Sequence, residues 1–69
     1  MTQVNIKVND EEQRVPAGTT ISGLLDLMQI TSPAVAVELN LEVQPRHQFD
    51  SCQLSEGDSV EIVTLVGGG

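Results

Sequence analysis

Ser59-Val60-Glu61-Ile62-Val63-Thr64-Leu65-Val66 is the stretch on which the reading of this chain turns. Its apolar content rises toward its end, and its β-branched residues suit a pleated surface, so the centre of a sheet is the expected place for it. Gly67-Gly68-Gly69 follow at once, half of the chain's 6 glycines, and are expected to serve neither as a turn nor as a linker.

Working back from that strand, Leu54-Ser55-Glu56-Gly57-Asp58 reads as the turn that leads into it. Pro45 to Gln53 is mixed and polar, an irregular connection or a helical turn. Val35, Val37 and Leu39 alternate with Ala34, Ala36, Glu38 and Asn40 in a strand, and Leu41-Glu42-Val43-Gln44 can pair back across a turn. That turn is ambiguous, because Asn40-Leu41 lacks the glycine that favours a tight hairpin. Thr31-Ser32-Pro33 stops a helix that Thr19 and Thr20 are suited to cap. Within it Ile21, Leu24, Leu25 and Met28 recur at i, i+3, i+4 and i+7, with Leu27 beside them, so this stripe is expected in the core. Gly23 inside the helix costs about 1 kcal/mol relative to alanine, which leaves packing as the main source of helix stability. At the start of the chain, Val4, Ile6 and Val8 alternate with Gln3, Asn5 and Lys7 in a half-buried strand. Asn9-Asp10-Glu11-Glu12 reads as a turn, Gln13-Arg14-Val15 as a second short strand, and Pro16 ends the pairing.

The order is hairpin, helix, two further strands, final strand. An α+β architecture accommodates it: a mixed sheet of four to five strands with one main helix across one face, the first and last strands side by side and parallel. By analogy this is the β-grasp, or ubiquitin-like, layout. The expected organisation is a β-grasp domain over residues 1–66 and a flexible glycine tail over 67–69.

The chain has 69 residues, enough for one domain, and a core this small leaves little room for a deep substrate cavity, so chemistry is expected at an edge or a terminus. Three Lys and Arg against 10 Asp and Glu give a net charge of -7, which argues against nucleic acid and anionic membrane surfaces and for a basic protein partner. One cysteine, Cys52, cannot form an internal disulfide, and with a single His47 it makes no zinc set. No apolar run approaches the roughly 20 residues that cross a bilayer, and Met1-Thr2-Gln3-Val4 lacks the features of a signal peptide, so the cytoplasm is the expected compartment.

Three glycines at the end of a strand extend roughly 10 Å beyond it. They have no Cβ, so they can enter a channel too narrow for any other residue. The group they would deliver is the α-carboxylate of Gly69. As an anion at pH 7 it is a poor electrophile. Conversion to an acyl-adenylate by an ATP-using partner would turn its carbonyl into an acceptor for sulfur, nitrogen or oxygen nucleophiles.

Val60-Glu61-Ile62-Val63-Thr64-Leu65-Val66-Gly67-Gly68-Gly69 after Glu56-Gly57-Asp58 resembles the C-terminal signature of the ThiS family of thiamine-biosynthesis sulfur carriers. Val43-Gln44-Pro45-Arg46 is similar to that family's V-x-P-R segment, with Phe49 a few residues later. Ala34 to Asn40 resembles its preceding strand, and Pro16-Ala17-Gly18-Thr19-Thr20 with Leu24-Leu25 its loop and helix. Leu41 departs from the family, which commonly has glycine after Asn, and there are three terminal glycines where the minimal pattern has two. The resemblance implies a protein cosubstrate rather than a catalyst. A ThiF-like adenylyltransferase would adenylate Gly69, a sulfur donor such as a cysteine desulfurase would convert it to a thiocarboxylate, and a ThiG-like thiazole synthase would receive the sulfur. Gly67 and Gly68 would thread the partner's channel. Mg²⁺ and ATP would belong to the activating enzyme, with no cofactor on this chain. The glycine end alone is shared with molybdopterin-synthase-type carriers and with ubiquitin-like modifiers, so both remain alternatives, as does a plain interaction module.

Single residues offer weaker signals. Cys52 could accept a persulfide, but it has no cationic neighbour in sequence and reads more simply as a packed thiol. His47 reads as a solvated loop histidine, and Asp10-Glu11-Glu12 as a solvated turn. Docking beside the tail is expected of Leu65 and Val66, one side of which the alternation can leave uncovered, and of the acidic residues Asp58 and Glu61; a turn would account for Glu56 and Asp58 equally well.

Overall fold

The computed structural model describes residues 2–64. The expected continuation of the last strand through Leu65 and Val66, and the Gly67-Gly68-Gly69 tail, lie outside the described residues. Five strands, β1 (Gln3–Val8), β2 (Glu11–Pro16), β3 (Val35–Leu39), β4 (Glu42–Val43) and β5 (Ser59–Thr64), form one sheet in the order β2-β1-β5-β3-β4. The central strand is β5, parallel to β1 with Lys7 opposite Ser59 and Val8 opposite Val60, and antiparallel to β3 from Val35 opposite Thr64 to Leu39 opposite Val60. Helix α1 (Ile21–Leu27) supplies Ile21 and Leu24 to the core. This is the α+β, β-grasp arrangement expected from the element order.

The strand alternation accounts for the core. Ile6 and Val8 of β1, Val15 of β2, Val37 of β3, and Val60 and Ile62 of β5 are buried with Ile21 and Leu24 of α1; Phe49 and Leu54, from the connection between β4 and β5, join them. Burial of each such side chain contributes about 1.5–3 kcal/mol, and no polar residue is buried among the described residues to offset it. Leu25 and Met28 pack against this cluster, while Leu27 remains exposed on the far side of the helix.

A helix of seven residues that contains Gly23 would not persist alone, so its ends are tied down by neighbours. The Thr20 hydroxyl accepts from the Gly23 amide at 3.1 Å, the cap its position suggested. Ile21 and Ser22 donate their amides to the carbonyls of Cys52 and Phe49, both at 3.0 Å, which satisfies two more of the orphan donors of the first turn. At the other end Gln29 donates to Asp26 and Ile30 to Leu25, the two bonds of a Schellman closure, with Gln29 at φ 59 where glycine is usual. The connection after β4 contains a 3-10 turn at Arg46–Gln48, one of the two forms expected there.

The hairpin turns differ from expectation in an instructive way. Asn9-Asp10-Glu11-Glu12 is not a four-residue turn: β2 begins at Glu11, opposite Val8, and pairing runs on to Pro16 opposite Gln3. Asn9 and Asp10 alone reverse the chain, at φ 50 and 70. Short polar side chains tolerate this left-handed region, and a turn with positive φ at both central residues matches the twist of the strands it joins. Asn40 and Leu41 repeat the signature between β3 and β4, at φ 51 and 71. The missing glycine therefore does not prevent a tight turn, but it leaves Leu41 in a conformation that costs about 1–2 kcal/mol, with its side chain 87% exposed and unable to recover that cost by packing. Replacing Leu41 by glycine is expected to raise stability by about 1 kcal/mol after the entropy of the more flexible unfolded chain, or roughly 4–8 °C in melting temperature followed by circular dichroism. A Leu41→Gly protein that melts at or below the parent would contradict this account of the turn.

Candidate functional site

The central strand is the element that leads in sequence into Gly67-Gly68-Gly69, where the site is expected. Its alternation sends Val60 and Ile62 inward and leaves Ser59, Glu61 and Val63 on the face of the sheet opposite the helix. On that open face Glu61 stands opposite Glu38 of β3 and Val63 opposite Ala36, while Glu38 is in turn opposite Val43 of β4. Two carboxylates directly across an antiparallel pair repel, so this arrangement does nothing for the fold itself. Val63 is 55% and Val43 71% exposed; Ala36, opposite Val63, is also exposed, two residues from Glu38 along β3. The chain's three cations, Lys7, Arg14 and Arg46, sit on β1, β2 and the 3-10 turn, leaving β3, β4 and β5 without one among the described residues. The open surface of β3, β4 and β5 is thus apolar and acidic among the described residues, complementary to an apolar patch with basic neighbours.

The acidic residues singled out before β5 have internal partners. One carboxylate oxygen of Glu56 accepts from the Asn5 amide at 2.8 Å and the other from Asn5 Nδ2 at 3.3 Å. Asp58 accepts from the Ser55 amide at 2.7 Å and from Asn40 Nδ2 at 3.0 Å, so its carboxylate closes the turn and holds it to the β3–β4 hairpin. Gly57 donates its amide to Asn5 at 2.8 Å from φ 85, a conformation that suits glycine. Of this group Glu61 is the one whose exposed side chain stands on the open face of β5.

The turn asparagines fasten β5 at its start and at Ile62 within it, which sequence reading missed. Asn40 Oδ1 accepts from the Ser59 amide at 2.9 Å at the start of the strand. Asn9 Oδ1 accepts from the Ile62 amide at 2.8 Å, and Asn9 Nδ2 donates to the Ile62 carbonyl at 3.3 Å. These partners lie 19 and 53 residues away in sequence, so no local pattern announces them.

Cys52 is partly buried against the core, with its amide donating to Gln48 and its carbonyl accepting from Ile21. His47 lies exposed in the 3-10 turn. No group of three or more His, Cys, Asp or Glu able to hold a metal occurs among the described residues, and no helix there is long and apolar enough to cross a membrane. Two shallow surface grooves, one beside the start of α1 and one between β1 and the turn before β5, do not include Glu61 or Val63. The expected site residues Leu65, Val66, Gly67, Gly68 and Gly69 lie outside the described residues. Among the described residues, what remains is the open, apolar and acidic face of β5.

Comparison with known proteins shows what the chain is similar to. The sequence profile of the ThiS family matches residues 2–69. A thiazole synthase of Paramagnetospirillum magneticum is 36% identical over 66 residues, which are 96% of this chain and 20% of that protein; the chain thus spans about a fifth of this relative's length. The sulfur carrier protein ThiS of Escherichia coli K12 is 26% identical over 96% of this chain and 100% of its own length. The crystal structure of the thiamine biosynthesis protein ThiS from Geobacter metallireducens superimposes with a TM-score of 0.81 at 33% identity, covering 96% of this chain and 100% of that one.

Proposed function

From the premise that this chain belongs to the ThiS family, we propose that it is the sulfur carrier protein of thiamine biosynthesis, with the α-carboxylate of Gly69 as the group that is activated and loaded. The observation that carries the reading is that the family match runs through residue 69 and so takes in Gly67-Gly68-Gly69. Residues 1–66 are the body in this reading, and 67–69 the arm.

The chemistry follows from the end group. A carboxylate oxygen of Gly69 attacks the α-phosphorus of ATP on a ThiF-like adenylyltransferase, forming the acyl-adenylate as pyrophosphate leaves. The outer sulfur of a persulfide on a donor such as a cysteine desulfurase then adds to the acyl carbon, and AMP departs with the original oxygen. A reducing thiol next attacks the donor-side sulfur of the resulting acyl disulfide, so that the S–S bond breaks, the thiocarboxylate leaves and the donor is left as a mixed disulfide. The net change is sulfur in place of one oxygen, a thiocarboxylate. A ThiG-like thiazole synthase takes that sulfur for ring formation, in the cytoplasm where ATP is at hand. Sulfur on a tethered acyl group is not lost as free sulfide, and docking makes its delivery effectively intramolecular. Apart from the Gly69 carboxylate, which is itself the reactant, no residue of the chain is assigned as acid, base or nucleophile in these steps; it is the cosubstrate. Relatives named for thiazole synthase and for thiamine biosynthesis favour this pathway over the molybdopterin one.

In this reading the open face of β5 docks the body while Gly67 and Gly68 thread the channel. Glu61 and Val63 lead the contact, with Leu65 and Val66 continuing it, and Asp58 acts by shaping the turn that launches β5. Pyrophosphate exchange into ATP by the adenylyltransferase tests the proposal: exchange that requires this chain supports it, and a chain that elicits none refutes it. Val63→Asp places a charge on the apolar part of the face without touching the core. It is expected to raise KM for the adenylyltransferase about 10-fold, as loss of one good interface anchor does, with little change in melting temperature. An unaltered KM would remove this face from the docking surface.

A further inference from the structure

Asn9 opens the turn between β1 and β2, yet its side chain is spent on β5. In a parallel ladder one strand bonds alternately forward and back along its neighbour. Here the Lys7 amide donates to the Asp58 carbonyl and the Asn9 amide to the Val60 carbonyl, each at 2.9 Å. The next rung belongs to Ile62. Had β1 continued, its backbone would offer a carbonyl to the Ile62 amide and then an amide to the Ile62 carbonyl. The chain instead turns at Asn9, and the side-chain amide takes both parts, Oδ1 accepting at 2.8 Å and Nδ2 donating at 3.3 Å. One primary amide thus replaces the missing peptide group and carries the ladder one rung further. It does so on the side of β5 where backbone partners have run out; on the other side β3 pairs as far as Thr64. Ile62 is buried, and without Asn9 its backbone polar groups would lose these partners.

We infer that Asn9 is a positioning residue for the transfer chemistry: by holding both backbone polar groups of Ile62 it fixes β5, the strand that precedes the reacting Gly69 in sequence. The inference rests on the carrier reading above. The face that docks, Glu61 and Val63, flanks the residue that Asn9 holds, so a β5 free to tilt at Ile62 would dock in one orientation and send its end in another. Reactive geometry tolerates little of this, since a displacement of about 1 Å can cost up to about 100-fold in rate.

Asn9→Gly separates this role from turn formation, because glycine accepts the positive φ of the turn and deletes only the amide. Two measurements decide. Amide hydrogen exchange at Ile62 is expected to accelerate about 10-fold or more, while Val63, whose ladder partner is on β3, keeps its protection. In adenylation, kcat is expected to fall about 10-fold with KM within about twofold of the parent, since the docking face is intact. Asn9→Asp keeps an acceptor for the Ile62 amide but sets an oxygen against the Ile62 carbonyl, and should fall between the two proteins. Unchanged Ile62 exchange, or faster exchange with undiminished kcat, would overturn the positioning role, as would loss of protection at Ile62 and Val63 together. A parent that is not adenylated refutes the carrier reading; a normal parent matched by an equally fast Asn9→Gly variant refutes only the inference about Asn9.

Discussion

On the proposed function, removal of Gly69 is expected to lower the rate of thiocarboxylate formation by at least about 100-fold, while the melting temperature stays that of the parent. The physical argument is one of reach. Each extended residue spans about 3.3–3.6 Å, so a chain ending at Gly68 presents its carboxylate short of the α-phosphorus by about a whole reactive contact distance, and misplacement of about 1 Å already costs up to about 100-fold. The body of the protein is untouched, because every core residue among those described lies at or before Ile62. Cys52→Ser serves as the control. The cysteine is partly buried against the core and makes its backbone contacts through atoms that serine also has, so loading should survive the change. If the serine protein failed to load while the shortened protein succeeded, the acceptor would be the thiol and not the chain end.

Leu24→Ala is the second large effect, and it falls on the fold. Leu24 is fully buried on a helix of seven residues, within a core to which α1 contributes only Ile21 besides it as a buried residue. Truncating a buried leucine to alanine costs about 2.7–5 kcal/mol through lost transfer energy and the cavity left behind. A domain of this size is held by roughly 3–10 kcal/mol in all, so the variant is expected to be largely unfolded or close to it at 37 °C. Leu27, on the same helix but 60% exposed, provides the contrast: Leu27→Ala should change stability by no more than about 0.5 kcal/mol. Urea unfolding followed by circular dichroism compares the two. Similar midpoints would mean that the helix is not fastened to the sheet through Leu24.

The features that were legible in the sequence are those written in local periodicity. Alternation through Val4, Ile6 and Val8, the Ile21–Leu24–Leu25 spacing after Thr20, and the apolar character of the last strand give the element order and a central final strand; its parallel pairing with the first follows only by analogy with the β-grasp layout. Turn lengths were less legible. Asn9-Asp10-Glu11-Glu12 looks like four polar turn residues, but Asn and Asp accept positive φ so readily that two suffice, and Glu11 and Glu12 become edge-strand residues. At Asn40-Leu41 sequence preference and structure conflict, and tertiary pairing wins at the expense of strain in Leu41.

The site was partly legible for a related reason. The glycine end announces itself, since few residues can substitute for a backbone without Cβ. The open face around Glu61 and Val63 is written in strand parity, whereas its continuation onto Ala36 and Val43 depends on which strands lie side by side. The internal bonding of Glu56 and Asp58, and the grip of Asn9 on Ile62, join residues tens of positions apart. An asparagine in a turn is ordinary in sequence; only the fold shows that it also completes a ladder.

The central claim is that Gly69 ends in an exchangeable acyl oxygen. Incubation of the chain with the adenylyltransferase, ATP and a sulfur donor, followed by intact-mass measurement and fragmentation of the C-terminal peptide, tests it most directly. The account predicts the mass gain of a single sulfur-for-oxygen exchange, located on Gly69 and absent without ATP. An unchanged mass, sulfur on Cys52, or a Gly69 joined to a lysine amine would contradict it.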